Sequence, residues 1–366
     1  MAAAAGTEKS PLEKKWLAMV EDGKGDTMGM KTFLEENPSF NVDLVDMNGM
    51  TALQHASFRG NEELCQILLD HGADVNSDKH ENKYTALMFG ALSGNENVVN
   101  MLLDAGAKVD VRNSVNRTAG EMAAFVAQHH IGGVIMNFYP SKKLQRFTKT
   151  TGKDSKPKLK PDLLKPFHSF ISSCNLHPIY LVRELHKTPE LLTESKNLIA
   201  ILNELSAAST PPPDGKEAQS FKFHYLSCVI DYTKKADKND SGKSFIKRLA
   251  TGRSSDGLLD QVDQLVRSTL KSYPQKGSSV FCELLKRMNE NEIGSGPSAV
   301  AMLTDAINGN RVKAAEAQVC HVCGSRQPKQ CTRCRLAFYC TSNNCQKLHW
   351  PTHKKFCKEL EALGEI

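Results

Sequence analysis

"GMTALQHASFRGNEELCQILLDHGADVN" occupies residues 49–76, and "KYTALMFGALSGNENVVNMLLDAGAKVD" occupies residues 83–110. Laid over one another, Thr51, Gly60 and Gly72 become Thr85, Gly94 and Gly106, each 34 residues further on. A third, degraded copy opens with "NRTAGEMAAFVAQ", its Thr118 falling 33 residues after Thr85. A period of this length marks a stack of small helical units, none of which can bury its apolar face alone. Each threonine suits the N-cap of a short helix. Small residues follow it (Ala52, Ala56; Ala86, Gly90, Ala91) and let helices approach closely. Leu64, Ile67, Leu68 and Leu69 form an apolar stripe at helical spacing, as do Val98, Val99, Met101 and Leu102. Gly72 and Gly106 stand where a helix ends in a left-handed residue.

This pattern resembles the ankyrin repeat, with its Thr-x-Leu entry, a glycine between two helices and a Leu-Leu-x-x-Gly-Ala end. The expected ankyrin domain is residues 1–139, about three to four repeats, with residues 12–43 as a divergent first repeat and 118–139 as a shortened last one. The family's Thr-Pro-Leu-His reads Thr-Ala-Leu-Gln, Thr-Ala-Leu-Met and Thr-Ala-Gly-Glu here. The histidine that supports bonding between repeats is absent, so the stack is expected to be weakened. The resemblance makes exposed tip residues such as Lys83, Tyr84, Arg112 and Arg117 candidates for protein contact, against the plainer reading of solvated loop residues.

Beyond the repeats the charge changes sign. Residues 1–139 hold 11 Lys/Arg against 19 Asp/Glu, and residues 140–366 hold 36 against 22. Residues 140–166, "PSKKLQRFTKTTGKDSKPKLKPDLLKP", carry nine Lys/Arg and four prolines without periodicity, so they read as an extended, solvated linker. Contact with a phosphate backbone or an anionic membrane surface is the alternative use of such a run. Residues 167–312 read as one all-helical domain. In "SSDGLLDQVDQLVRSTLKSY", Leu258, Leu259, Val262, Leu265, Val266 and Leu270 share a face, with Ser255 or Asp256 as cap; "STPPPDG" (209–215) is a break. Cys65, Cys174, Cys228 and Cys282 fall in apolar helical patterns and read as small core hydrophobes. His168 and His177 lie near Cys174 in sequence, which does not make a nucleophile–base pair. No phosphate-binding glycine loop, nucleophile elbow or His-Glu-x-x-His motif is present, so an enzyme is not expected. No apolar run reaches the roughly 20 residues of a membrane span, and "MAAAAGTEKSP" does not read as a signal peptide. A cytosolic setting is expected, where clustered cysteines suggest metal before disulfide.

Such a cluster stands at 320–357: "CHVCGSRQPKQCTRCRLAFYCTSNNCQKLHWPTHKKFC" holds seven of the eleven cysteines. Four chelating pairs follow from the spacing: Cys320/Cys323, Cys331/Cys334, Cys340/Cys345 and His353/Cys357. Eight thiolate or imidazole ligands suit two closed tetrahedral zinc sites, which makes the metal structural. A 38-residue segment cannot bury enough surface to fold alone; zinc, at an apparent ~10–16 kcal/mol per structural site, supplies the difference. The four residues between Cys340 and Cys345 require Cys340 to lie in an approach loop, with Ser342 or Asn343 capping a helix that begins near Cys345. Pro351 suits the first turn of a second short helix carrying His353 and Cys357. Seven Lys/Arg and no carboxylate lie in the segment, but seven thiolates with two Zn²⁺ sum to −3 and offset much of that charge. With no long recognition helix either, nucleic acid is not expected as a partner. The histidine stands seventh of eight ligands rather than centrally, against a ubiquitin-ligase RING.

The segment resembles a MYND-type zinc finger through Tyr339-Cys340, Cys345-Gln346-x3-Trp350 and Trp350-x2-His353-Lys354. The resemblance implies crossed sites: Cys320, Cys323, Cys340 and Cys345 on one zinc, Cys331, Cys334, His353 and Cys357 on the other. It also implies binding of short proline-containing segments of the Pro-x-Leu-x-Pro kind. Gln346 can bond the peptide backbone and Trp350 offers a flat platform, although Trp350 can equally pack over the zinc core.

Ankyrin stack, helical middle and finger in this order, with "NMLLDAGA", "NSVNRTAGEMAAFV", "NLHP" and "GRSSDG", resemble the ankyrin repeat and MYND domain-containing protein 2 family over nearly the whole chain. The resemblance implies a mostly α protein and a non-enzymatic adaptor that delivers signalling proteins to primary cilia from the cytoplasm, with an FK506-binding-type prolyl isomerase as a partner at the finger. The alternative is a nuclear co-repressor-like adaptor. A SET-domain methyltransferase, which can also carry a MYND finger, would need cofactor-binding motifs that the sequence lacks.

Overall fold

The computed structural model describes residues 9–21, 27–150, 157–209, 217–239, 242–253, 258–277, 279–293, 297–308, 319–326, 328–335, 337–341 and 344–364. The chain forms two compact units, residues 1–140 and 141–366. In the first, four helix pairs follow one another: α1 (Pro11–Glu21) and α2 (Thr27–Glu36), α3 (Ala52–Arg59) and α4 (Glu62–Asp70), α5 (Ala86–Ser93) and α6 (Glu96–Asp104), α7 (Ala119–Phe125) and α8 (His129–Asn137). The threonines do what their positions demand. Thr51, Thr85 and Thr118 accept from the backbone N–H of Gln54, Met88 and Glu121. At the far ends, Gly72 and Gly106 have φ of 82° and 98°. Gly72 N–H bonds Leu69 O and Ala73 N–H bonds Leu68 O, and Gly106 and Ala107 repeat the pair on Leu103 and Leu102. That is the left-handed closure in which orphan carbonyls of the last turn are satisfied.

One core runs through the stack. Trp16, Met30, Phe33 and Leu34 of the first pair join Leu53, Ala56, Leu64 and Leu68, then Leu87, Ala91, Val98 and Leu102, then Ala123, Ile131 and Ile135. Bonds one repeat apart tie the loops: Asn95 Nδ2 to Gly60 O, Asn76 Nδ2 to Gly106 O, and Asp74 N to Asp43 Oδ1. The expected weakness at the missing histidine is compensated at one junction. Gln54, fully buried, accepts from Thr51 N (2.9 Å) and donates to Ser77 O (3.1 Å) and Tyr84 O (2.8 Å), so it closes its own cap and grips the next repeat. At the equivalent place Met88 is simply buried. Of the tip residues, Tyr84 stacks on His80, Arg112 pairs with Glu121, and Arg117 lies 4.0 Å over the Phe125 ring.

The second unit begins inside the expected linker. A short helix α9 (Ser141–Leu144) and a 3-10 turn over Gln145–Thr148 bury Leu144 and Phe147, and Leu159 N–H bonds Phe147 O. The basic run is therefore no solvated spacer where it is described: four apolar side chains (Leu144, Phe147, Leu159, Leu163) anchor it, a stronger influence than the repulsion between lysines. Then come α10 (Leu164–Ser172), α11 (Pro178–Lys187), α12 (Pro189–Thr193), α13 (Ser195–Ala208), α14 (Glu217–Asn239), α15 (Gly242–Leu249), α16 (Asp260–Lys271), α17 (Ser279–Glu290) and α18 (Ala299–Asn308). α14 is the axis. Phe221, Phe223, Tyr225, Leu226, Val229 and Ile230 are all buried, so it is apolar around most of its circumference and other helices surround it. α16 starts at Asp260, leaving Leu258 and Leu259 outside it. The caps expected at Ser255 or Asp256 and at Ser342 or Asn343, and residues 210–215 of the expected break, lie outside the described residues.

The cysteines of this domain are less buried than their apolar neighbourhoods suggest. Cys65, in the ankyrin stack, is buried. Cys174 sits in the loop after α10 at intermediate burial, Cys228 is half-buried on α14, and Cys282 is exposed. A helix amphipathic enough to carry a stripe also has an edge, and Cys228 and Cys282 lie on it, whereas Cys174 falls outside the helix altogether.

Candidate metal centres and docking face

The C-terminal segment has little regular structure of its own: a two-residue hairpin, β1 (Lys329–Gln330) against β2 (Phe338–Tyr339), and one helix, α19 (Cys345–Gly364). Two tight loops bring the first cysteines together. In one, Gly324 N–H bonds Cys320 O; in the other, Arg335 N–H bonds Cys331 O; Gly324 and Arg335 both take positive φ. Cys340 follows directly after β2, Asn344 turns through φ 50°, and α19 begins at Cys345. The five-residue offset of Cys340 and Cys345 is thereby absorbed in a turn, and their sulfurs stand 3.4 Å apart. α19 continues through Pro351 as one helix, not two. Its ligands Cys345, His353 and Cys357 recur at multiples of four residues, so a continuous helix keeps them on one side.

The donors fall into two buried tetrads: Cys320, Cys323, Cys340 and Cys345, and Cys331, Cys334, His353 and Cys357. In the first, Cys323 Sγ lies 3.6 Å from both Cys340 and Cys345. In the second, His353 Nε2 lies 3.4 Å from Cys331 Sγ and 3.7 Å from Cys334 Sγ, and Cys331 and Cys357 are 4.0 Å apart. A tetrahedral zinc with Zn–S bonds of 2.3 Å has ligand–ligand edges of about 3.8 Å. The spacing and donor types fit zinc at both tetrads, and the site is closed: four protein ligands leave no position for substrate. α19 supplies one ligand to the first tetrad and two to the second, so the sites interlock through a single helix. Hydrogen bonding from Cys323, then Cys345, holds the Cys320 thiol down to about 3, while the Cys345 thiol is pushed up, mainly by its bond to Cys320. Burial holds the His353 imidazole below its ordinary value, in the neutral form that binds metal.

Gln346 and Trp350 fall on the adjoining stripe of α19, one turn apart, and both are exposed. Trp350 keeps 40% of its surface in solvent while its ring lies 5.9 Å from that of the ligand His353. It packs over the cluster at one edge and faces water at the other. The sequence gives no hint of three further groups that meet the finger: Asn175 Nδ2 donates to Cys323 O (3.0 Å), Arg183 Nη1 donates to Cys345 Sγ (2.9 Å), and Gly252 N–H donates to Thr352 Oγ1. Asn175 and Gly252 belong to "NLHP" and "GRSSDG", whose composition carries no contact signal.

Comparison with known proteins agrees with this architecture. The family described as ankyrin repeats, in three copies, matches residues 17–113, and the family described as MYND finger matches 320–357. Over 332 residues the chain is 31% identical to Dauer abnormal formation protein 25 of Caenorhabditis elegans, spanning 88% of this chain and 85% of the worm protein. The chain belongs to the ankyrin repeat and MYND domain-containing protein 2 family. Shorter similarities connect this ankyrin–MYND protein to N-lysine methyltransferase SMYD2-B of Danio rerio (43% over 49 residues, 13% of this chain and 11% of that protein) and to programmed cell death protein 2 of Bos taurus (41% over 51 residues, 14% of each). Stretches that short carry no activity across. Both matched modules are protein-interaction modules, and the ankyrin–MYND chain is an interaction adaptor. No described helix is long and apolar enough to cross a membrane.

Proposed function

We propose that this adaptor is two-headed and non-enzymatic: the finger holds proline-containing segments of the Pro-x-Leu-x-Pro kind through Gln346 and Trp350, and the ankyrin stack holds a second, client protein. The observation that carries the reading is the half-open Trp350, a large flat aromatic set on a helix pinned by ligands of both zinc tetrads. A rigid aromatic surface takes a proline ring with little entropy to lose, and Gln346 one turn away can bond the peptide backbone. On the stack, Phe58 and Phe125 stand seven residues after their capping threonines and are 52% and 69% exposed, an apolar pair on the first helices of their repeats. Family resemblance supports an FK506-binding-type prolyl isomerase at the finger, signalling proteins as clients, and action in the cytoplasm and cilium.

Binding of a fluorescein-labelled Pro-x-Leu-x-Pro peptide to the full-length zinc-loaded protein tests the finger head. Trp350→Ala is expected to weaken binding by about 30-fold, roughly 2 kcal/mol, with two zinc ions retained. Unchanged peptide affinity overturns this assignment. Phe58→Glu with Phe125→Glu is expected to leave peptide affinity intact and to deplete co-purifying clients. Nuclear accumulation of a fluorescent fusion in ciliated cells would favour the co-repressor-like reading, and calorimetric binding of S-adenosylmethionine would restore the enzymatic one.

A further inference from the structure

The surroundings of the first tetrad are not made of finger residues alone. Arg183, on α11 of the helical body, places Nη1 2.9 Å from Cys345 Sγ. Three positions before that helix, Asn175 donates to the carbonyl of the ligand Cys323 and accepts from His177 N at 3.0 Å. His177, in turn, caps α11 by accepting from Ile179 N. The approach is close: a Cβ on Gly324, whose φ is +66°, would lie 3.1 Å from Asn175 Oδ1 and 3.2 Å from His177 Cβ. Among the described residues, no side chain of the helical body bonds a ligand of the second tetrad.

The asymmetry matches the charges. Zn²⁺ with four thiolates carries −2, whereas Zn²⁺ with three thiolates and an imidazole carries −1. Taking a doubly negative centre out of water is expensive unless a positive group is placed against it. A guanidinium is the suitable group, because it stays charged under all ordinary conditions and donates in a fixed plane. Donors to a ligand atom also fix its orientation and tune its basicity.

We propose that Arg183 is an outer-sphere partner of the first zinc centre, which makes the helical domain and the finger one zinc-dependent body. Filling the first site fixes the loop before α11 and the helix start against the finger, and the helical domain in return holds the metal. This goes beyond the peptide-docking reading, which concerns the adjoining, exposed stripe of α19 and stands or falls separately.

The test uses the full-length protein. Arg183→Gln removes the charge at similar size, Arg183→Lys restores it without the fork, and Lys187→Gln on the same helix is the control. Chelator competition should show affinity for one of the two zincs reduced by about 10–100-fold in Arg183→Gln, an intermediate value in Arg183→Lys, and no change in the control. In the cobalt-substituted protein, loss of the hydrogen bond to thiolate should move the sulfur-to-cobalt charge-transfer band to lower energy. Two unchanged zinc affinities with an unchanged cobalt spectrum overturn the proposal, as does equal weakening of both sites. Hydrogen exchange on the wild-type chain gives a reading independent of any variant: chelation should expose the amides of residues 175–181, and protection that persists without zinc overturns the coupling.

Discussion

Lys222 is poorly accommodated in the helical domain: fully buried on α14, with an Nζ that has no hydrogen-bond partner among the described residues. Burial pushes its amine down from 10.5 to about 7. The folded value lies below the unfolded one, so the unfolded chain binds more protons between these limits. The destabilisation from this one group is therefore absent above about pH 10.5 and grows as pH falls towards 7. At roughly 1.4 kcal/mol per pKa unit, the cost below neutrality is on the order of 5 kcal/mol. Lys222→Met is expected to raise stability at pH 7 by a comparable amount and to flatten the rise between pH 7 and 10 in urea titrations. A variant no more stable than wild type would mean that the amine is not strained. Burial also settles the nearest thing to a catalytic pair. His224 Nε2 lies 3.5 Å from Cys228 Sγ, but burial raises the thiol and lowers the imidazole, so both stay neutral and no thiolate is ready to attack.

Among the elements, those decided by local chemistry were legible in the sequence. Thr51, Thr85 and Thr118 cap helices because a hydroxyl there satisfies an N–H that nothing else reaches, and Gly72 and Gly106 close helices because their φ demands it. The ligand pairs were legible for the same reason, metal chemistry being a matter of donor type and spacing. What depends on distant neighbours was not. The basic run at 140–166 shows its charges in sequence but not the core that takes up Phe147 and Leu159. Pro351 invites a helix break, yet α19 runs through it with ligands of both tetrads holding its face. Gln54 belongs to this second class, since its partners lie 23 and 30 residues away. Gln54→Leu would leave Ser77 O, Tyr84 O and the Thr51 N–H without it. At about 1–3 kcal/mol per stranded buried group, partly relieved by relaxation, a loss of about 2–4 kcal/mol is expected in chemical denaturation of the ankyrin unit. A loss under 0.5 kcal/mol would show that the bridge between repeats contributes nothing.

At the scale of the whole molecule the two units differ in what keeps them folded. The stack carries a continuous apolar core from Trp16 to Ile135, and both described metal-binding tetrads lie in the other unit. Zinc contributes to that second unit as ligand binding contributes to any fold: it binds the native state, so its removal subtracts stability there alone. The chain holds only two tryptophans, and they divide between the units: Trp16 is fully buried in the stack, Trp350 is partly exposed on α19. Trp350→Phe therefore leaves a fluorophore that reports the ankyrin unit, and Trp16→Phe leaves one that reports the finger. On heating with excess chelator, the Trp350 signal should lose its cooperative transition or shift it far downward, while the Trp16 transition should stay within about 2 °C of its zinc-loaded midpoint. A Trp16 midpoint that falls together with that of Trp350 would show that stability passes between the units, and that the stack is not an independently folded head. A Trp350 transition indifferent to chelator would remove the metal from the account of the fold altogether.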